Sequence, residues 1–417
     1  MKMRIINVGE VRVQVSVVPV VVVTACGEAV RETAKVALLA DLRGSVWVDY
    51  QIARSGEVRR RVGGWDGPVY DDLLELDHGC VSCTVREDLV PTVERLAGDG
   101  RWDSVVIFPP PAASPIGPAH QLHDAWVGKQ LTSAQLASVV SFVDLDALVE
   151  DLFGDDLLDD RGLALGERDR RSVGEALAEQ LEFSDVVVAV AGSDLTGGEA
   201  DRSVLGEQVL RRMVAPSTRC HLDWTELDPA TLLAVTHDHR VARDRVDPLR
   251  VWPIHHDGPV HHDWPVHQDG PVREDGSVHR DGSVHQGGSL HHDESDRHEE
   301  RGAVWTLALT SSEPLHPADL QEQLEQLGTG RIRARGYFWL SSRPDDACAW
   351  DASGGQLSIG TIGGWSGVRP GTRLVVTGVD LRDRERIERA FDELVSRSAD
   401  RRDRAPVRPD GFEPWLG

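Results

Sequence analysis

The feature that most constrains this chain is a succession of β-branched runs separated by helix-length segments. Residues 18–24 are almost entirely valine, and similar runs recur at 104–108, 139–143 and 186–190. A strand covered by helices on both faces reads as such an unbroken apolar run, because both sets of alternating side chains are buried. Further strands are expected at 11–17, where Val alternates with polar residues, at 45–50 and at 57–62. Helices are expected at 28–42 and 85–97, the second with Pro91 inside it, and Asp144–Asp146 opens another. Strands alternating with helices predict an α/β fold with a mostly parallel sheet and helices on both faces.

The first run ends in Ala25-Cys26-Gly27 before a helix. Strand, turn and helix are the frame of a phosphate-binding loop. The loop chemistry is absent. Such loops carry Gly-x-x-x-x-Gly-Lys-Ser/Thr, in which glycines let amides wrap the phosphates and Lys neutralises them.

A second constraint is Cys80-Val81-Ser82-Cys83, preceded by Asp77-His78-Gly79 and followed by Thr84 and the acidic pair Glu87 and Asp88. Gly79 permits a sharp turn, and the following residues suit a helix start. A helix N-terminus favours thiolate. Two thiolates on one turn can supply two corners of a tetrahedral Zn²⁺ site. A redox pair or two buried cysteines fit a bare Cys-x-x-Cys as well.

Gly79-Cys80-x-x-Cys83-Thr84-x-Arg86-x-Asp88-Leu89 resembles the Gly-Cys-x-Cys-Cys-x-x-Arg-x-Asp-Leu signature of the CobW-like P-loop GTPases, many of them zinc metallochaperones. Ser82 stands at that family's middle Cys. The Cys-Val-Ser-Cys form resembles an actinobacterial branch, zinc-responsive proteins that recruit a hibernation factor to ribosomes. Laid on that family, the P-loop glycines fall on Ala25, Glu28 and Val30. The lysine falls on Arg31 and the Mg²⁺-binding hydroxyl on Glu32, with Thr33 next. The Glu-x-x-Gly expected after residues 104–108 is replaced by Pro109-Pro110-Pro111. Of the guanine-reading Asn-Lys-x-Asp only Asp194 remains. Three landmarks lost together point to a fold that has given up nucleotide turnover. If nucleotide is still held, Gly27, Arg31, Thr33 and Asp194 are the residues that hold GTP and Mg²⁺.

The net charge of −24 argues against a broad electrostatic grip on nucleic acid. Arg59–Arg61 reads as a solvated strand edge. Five scattered cysteines, at 26, 80, 83, 220 and 348, form no disulfide framework and fit a cytoplasmic chain. Val23-Thr24-Ala25-Cys26 has the look of a lipoprotein cleavage site. Glu10 and Arg12 interrupt the segment before it, so a buried strand is the better reading. No apolar run is long enough to span a membrane.

Residues 254–295 hold seven hexads of the form aliphatic-His-x-Asp-Gly-Pro/Ser, with His255, His256, His261, His262, His267, His279, His285, His291 and His292. Gly, Pro and Asp in each unit suit a disordered or polyproline-like segment. In polyproline II, neighbouring units stand about 19 Å apart, so one metal ion needs a His-His pair or a folded-back chain. His and Asp together suit modest Zn²⁺ or Ni²⁺ buffering. A solvated linker expanded by repeat slippage is the other reading. The repeat resembles the His-rich inserts of CobW-like proteins.

Residues 304–309 read as a strand and 317–327 as a helix with Pro at its start. Arg333-Ala334-Arg335-Gly336-x-x-Trp339-Leu340-x-x-Arg343-Pro344 resembles the core strand of the CobW C-terminal domain, a small α+β unit, with Trp339 a packing residue. The expected layout is a degenerate P-loop domain at 1–225, a His-rich linker at 226–302, the C-terminal domain at 303–398 and a loose tail at 399–417. The resemblance implies a zinc-linked regulatory protein that recruits a hibernation-promoting factor to the small ribosomal subunit. Cys80, Cys83 and His78 or Asp77 would be its metal ligands, with no membrane partner. The alternative is a GTP-dependent zinc metallochaperone. A third reading is a redox or structural Cys pair on an inert fold.

Overall fold

A computed structural model describes residues 3–8, 11–52, 57–74, 81–191, 198–251, 304–365, 367–401 and 409–417. Strands β1 (Met3–Val8) and β2 (Val11–Ser16) form a separate antiparallel ribbon. Then come β3 (Val18–Ala25), α1 (Glu28–Leu39), β4 (Ser45–Ile52), β5 (Val58–Gly64), β6 (Gly67–Leu74), α2 (Val81–Gly98) and β7 (Ser104–Phe108). They are followed by α3 (Ile116–Val127), β8 (Ala134–Asp144), α4 (Leu148–Phe153), α5 (Val173–Phe183) and β9 (Val186–Val190). The unit closes with α6 (Gly198–Met213), β10 (Arg219–His221), α7 (Ala230–Leu233) and α8 (His239–Val246).

The sheet order is β10-β9-β8-β3-β7-β4-β5-β6. Pairing is parallel from β10 to β4 and antiparallel at β5 and β6. The valine run of β3 explains itself here. Val20 and Val22 pack on one face with Leu89 and Leu96 of α2 and Leu122 of α3. Val21 and Val23 pack on the other with Ala34 and Leu38 of α1 and Leu232 of α7. Each such valine contributes roughly 1.5–3 kcal/mol by leaving water.

The C-terminal unit comprises β11 (Trp305–Ser311), α9 (Pro317–Gly328), β12 (Ile332–Phe338), β13 (Asp346–Ser353), β14 (Gln356–Gly364), β15 (Thr372–Gly378) and α10 (Leu381–Asp400). Its sheet is antiparallel in the order β11-β15-β12-β13-β14. Gly336 has φ +148°, and a Cβ there would collide with the Arg373 carbonyl on the neighbouring strand. The two units meet through buried charge. Glu182 of α5 accepts from Arg333 Nε at 3.0 Å and Nη2 at 3.1 Å, and from Arg335 Nη1 at 2.9 Å. Burial pushes the Glu182 carboxyl up, but the two guanidinium groups outweigh it and hold it below its usual range.

Several expectations are corrected. Helix α2 starts at Val81 rather than 85, so Cys83 lies in its first turn. Helix α4 starts at Leu148, because the Asp144 carboxylate caps the preceding turn at the amides of Asp146 (2.9 Å) and Ala147 (3.3 Å). Strand β6 was not expected, since its side chains, Val69, Tyr70 and Leu73 included, are exposed and give no buried apolar face. Ion pairs Arg59–Asp71 and Arg60–Asp72 tie it to β5, so the basic run is a paired ladder.

The linker does not begin at 226. Helices α7 and α8 pack back on the first unit, and His237 and His239 are buried. The tail is not loose at its end. Helix α11 (Glu413–Leu416) docks with Phe412 fully buried, and Arg343 grips Asp410 (3.0 Å) and the carbonyls of Leu416 (3.0 Å) and Gly417 (2.8 Å). No helix of the described residues is long and apolar enough to cross a membrane.

Candidate functional site

The turn between β3 and α1 lies at the carboxyl edge of the parallel strands, where a phosphate-binding loop would sit. Gly27 precedes α1 with φ +145°, a conformation that side chains disfavour. Arg31 does not face that turn. It is 1% exposed, and its guanidinium pairs with Asp49 within β4. It also donates to the carbonyls of Tyr50 (3.0 Å), Phe108 (3.2 Å) and Pro109 (3.1 Å). Lys35 completes the group, with Nζ 3.0 Å from the second Asp49 oxygen. The Thr33 hydroxyl donates to the Ala29 carbonyl at 3.1 Å, within its own helix. The structure therefore corrects Arg31 as an outward phosphate ligand: its strongest partner, a buried carboxylate, lies inside the fold.

Beside this edge, burial and the nearby Asp151 charge push the Cys26 thiol up to about 12, which leaves it inert at neutral pH. Asp151 is pushed up to about 6 by burial, with Asp144, Asp156 and Glu150 adding and Arg161 opposing. Cys83 is half-buried in the first turn of α2. His78, Cys80 and Asp194 lie outside the described residues, as do His255, His256, His261, His262, His267, His279, His285, His291 and His292. Of the expected site residues, Gly27, Arg31 and Thr33 share one segment, and Cys83 lies on α2. Among the described residues, no group of three or more His, Cys, Asp or Glu side chains is arranged to hold a metal ion.

Sequence reasoning missed a chain of polar side chains at the opposite, amino edge of the strands. Asp185, just before β9, bonds His237 Nδ1 at 2.7 Å. His237 Nε2 lies 3.3 Å from His239 Nδ1, and His239 Nε2 lies 3.1 Å from His120 Nδ1. His120 Nε2 lies 3.2 Å from Asp124. His123 stacks on His239, ring centroids 4.3 Å apart. Burial and the neighbouring His123, His237 and His120 push His239 down to about 4, so its ring is neutral near pH 7. Burial pushes Asp185 up, but His237, the Val139 amide and Arg245 hold it below its usual range. The available signal was His120, His123 and Asp124 at helical spacing on α3, together with His237-Asp238-His239.

A model of the CobW/HypB/UreG nucleotide-binding domain matches residues 22–216, and one of the CobW C-terminal domain matches residues 304–395. A Mycobacterium tuberculosis protein named as a zinc chaperone is 26% identical over 308 residues, covering 71% of this chain and 61% of that protein. A Dictyostelium discoideum protein named zinc-regulated GTPase metalloprotein activator 1 is 26% identical over 176 residues, covering 41% and 37%. The chain thus spans less than two thirds of the length of these curated relatives. A zinc-bound YjiA GTPase from E. coli aligns over 91% of this chain and 99% of its own, at 13% identity and a TM-score of 0.33.

Proposed function

The chain belongs to the CobW family, joining a nucleotide-binding and a C-terminal domain on one polypeptide, and on that premise we propose that it is a zinc-handling protein of the metallochaperone kind whose nucleotide edge is closed by its own side chains. Zinc is the metal in the names of the relatives above. The observation that carries the second half is the Arg31–Asp49–Lys35 group. Arg31 replaces the usual lysine and turns inward to a carboxylate, while Glu28 and Glu32 bring negative charge to the turn where phosphate would lie.

In this reading Cys80 and Cys83, the latter in the first turn of α2, hold Zn²⁺ as thiolates, with His78 as a third ligand. The metal is cargo or signal, held by soft donors that exchange it with a partner. The test is the zinc content of the purified full chain after gel filtration. Cys80→Ser/Cys83→Ser should lose one tightly held zinc relative to the parent; equal zinc contents would reject the assignment.

A second reading is favoured by Ser82, which stands between the two cysteines where the family's middle cysteine is usual. With that and a closed nucleotide edge, metal state alone would switch a docking surface. The partners would be a hibernation-promoting factor and the small ribosomal subunit. The net charge of −24 favours contact through protein over RNA. Co-sedimentation with 30S subunits should then depend on zinc. Sedimentation that ignores zinc would leave the chaperone reading alone.

A further inference from the structure

The large sheet ends at β6. Among the described residues β6 pairs only with β5, and no strand lies beside its other edge. A free edge is a row of backbone N–H and C=O groups ready to pair with a further strand, and proteins usually blunt it. Here the blunting is confined to one end. Pro68 has no N–H to offer, and the register shifts between Val62 and Gly63. The pairing from Tyr70 to Leu74 is regular.

The same hairpin gathers exposed apolar surface. Among the described residues eight large apolar side chains are exposed, and four of them belong here: Trp65, Val69, Tyr70 and Leu73. Such clustering marks a contact surface, where single scattered residues would not. The edge is also held ready. Arg59 grips both oxygens of Asp71 at 2.7 Å. Arg60 bridges Asp72, at 2.8 Å, and Asp88 of α2. The Arg95 guanidinium lies 5.0 Å from the centre of the Tyr70 ring. A strand already fixed in its extended form loses little freedom when it pairs.

Charge decides what can pair. Antiparallel overlap of Tyr70–Leu74 with a second copy of itself sets Asp72 against Asp72. The next register that keeps the faces matched sets Asp71 against Asp71. Like charges directly opposite each other destabilise a sheet. The acidic pair that repels a copy attracts a basic side chain instead. Asp71 has both oxygens filled by Arg59, but among the described residues Asp72 accepts through one oxygen only, from Arg60. The net charge of −24 draws a basic partner from a distance as well.

We propose that the free edge of β6 is a docking edge for an extended segment of another protein, apolar opposite Tyr70, Leu73 and Leu74 and basic opposite Asp72. Main-chain bonds supply the grip in such strand addition, and the side chains supply the choice. Six residues, Cys80 among them, separate Leu74 from the start of α2 at Val81, so the docked strand lies next in sequence to the Cys-bearing segment. On the zinc-handling reading above, on which this last step rests, the docked protein is the one that exchanges the metal.

Hydrogen exchange of the full chain with a synthetic peptide tests the edge. In antiparallel pairing, acetyl-Thr-Val-Val-Lys-Thr-Val-Thr-amide sets Val against Leu74, Leu73 and Tyr70 and Lys against Asp72. At saturation it should slow exchange of the outward amides of residues 70–74 by about tenfold. Glu in place of the Lys should weaken binding by about fivefold or more, and Asp72→Asn should remove that preference. Leu73→Lys changes an exposed position that leaves the fold intact, and it should abolish the protection. Protection should persist in Cys80→Ser/Cys83→Ser, so the docking edge and the zinc assignment fail separately. No slowing at any soluble concentration of the Lys peptide overturns the docking edge, as does equal binding of the Lys and Glu peptides. A parent chain that sediments as a dimer and turns monomeric in Leu73→Lys overturns it too, because the edge would then belong to a second copy.

Discussion

Two networks of titratable side chains sit at opposite edges of one parallel sheet. At the carboxyl edge, Arg31 meets a carboxylate and three carbonyls, with Lys35 alongside. That group is closed: the cation that would face a phosphate has a permanent internal anion. At the amino edge, three imidazoles between two carboxylates run from the core to the surface. The first network lies inside the fold, and the second reaches solvent at His120 and Asp124. The edge where the fold usually binds its ligand is thus the sealed one.

The sharpest way to break this contrast is Asp49→Ala. It strands a buried guanidinium, and breaking such a pair costs about 3–5 kcal/mol. Urea unfolding should show a loss of that size; a loss under about 1 kcal/mol would mean that the edge is not sealed by this pair. Asp185→Asn comes next. It weakens the bonds to His237 and Arg245 and should cost about 2 kcal/mol, the range for bonds to charged groups. The sign with pH follows from a carboxyl held below its ordinary 3.8. The Asp185 contribution is complete above that value and is lost as pH falls below it, so the variant should show a flatter acid limb. Parallel acid limbs would contradict the bond pattern.

The smallest effect has the opposite sign. Asp151, beside the sealed edge, is raised from 3.8 to about 6, so the parent loses stability as pH rises across that window. Asp151→Asn should match the parent below the window and gain about 1 kcal/mol at neutral pH, after allowance for solvent screening. Equal stability at neutral pH would show that the carboxylate carries no penalty.

The sheet was legible because the valine runs of β3, β7, β8 and β9 have no other use: such segments must be buried on both faces. Strand β6 was not, because its apolar side chains stay exposed and ion pairs Arg59–Asp71 and Arg60–Asp72 tie it to β5. The decay of the phosphate loop was legible at Arg31, Glu28 and Glu32. What replaced it was not, because Asp49 lies 18 residues away on the next strand of the chain. The histidine chain was hidden for the same reason, since His120 and His239 are 119 residues apart. The docked end was hidden because Arg343 reads as part of a strand motif, and only the fold shows Asp410 beneath it.

The central claim is that this protein handles zinc on a fold whose nucleotide edge is closed. Calorimetric titration of the full chain with GTP and Mg²⁺ tests it most directly. No heat of binding up to millimolar GTP, in parent and in Asp49→Asn alike, is the predicted result. Micromolar binding accompanied by hydrolysis in the parent would contradict it.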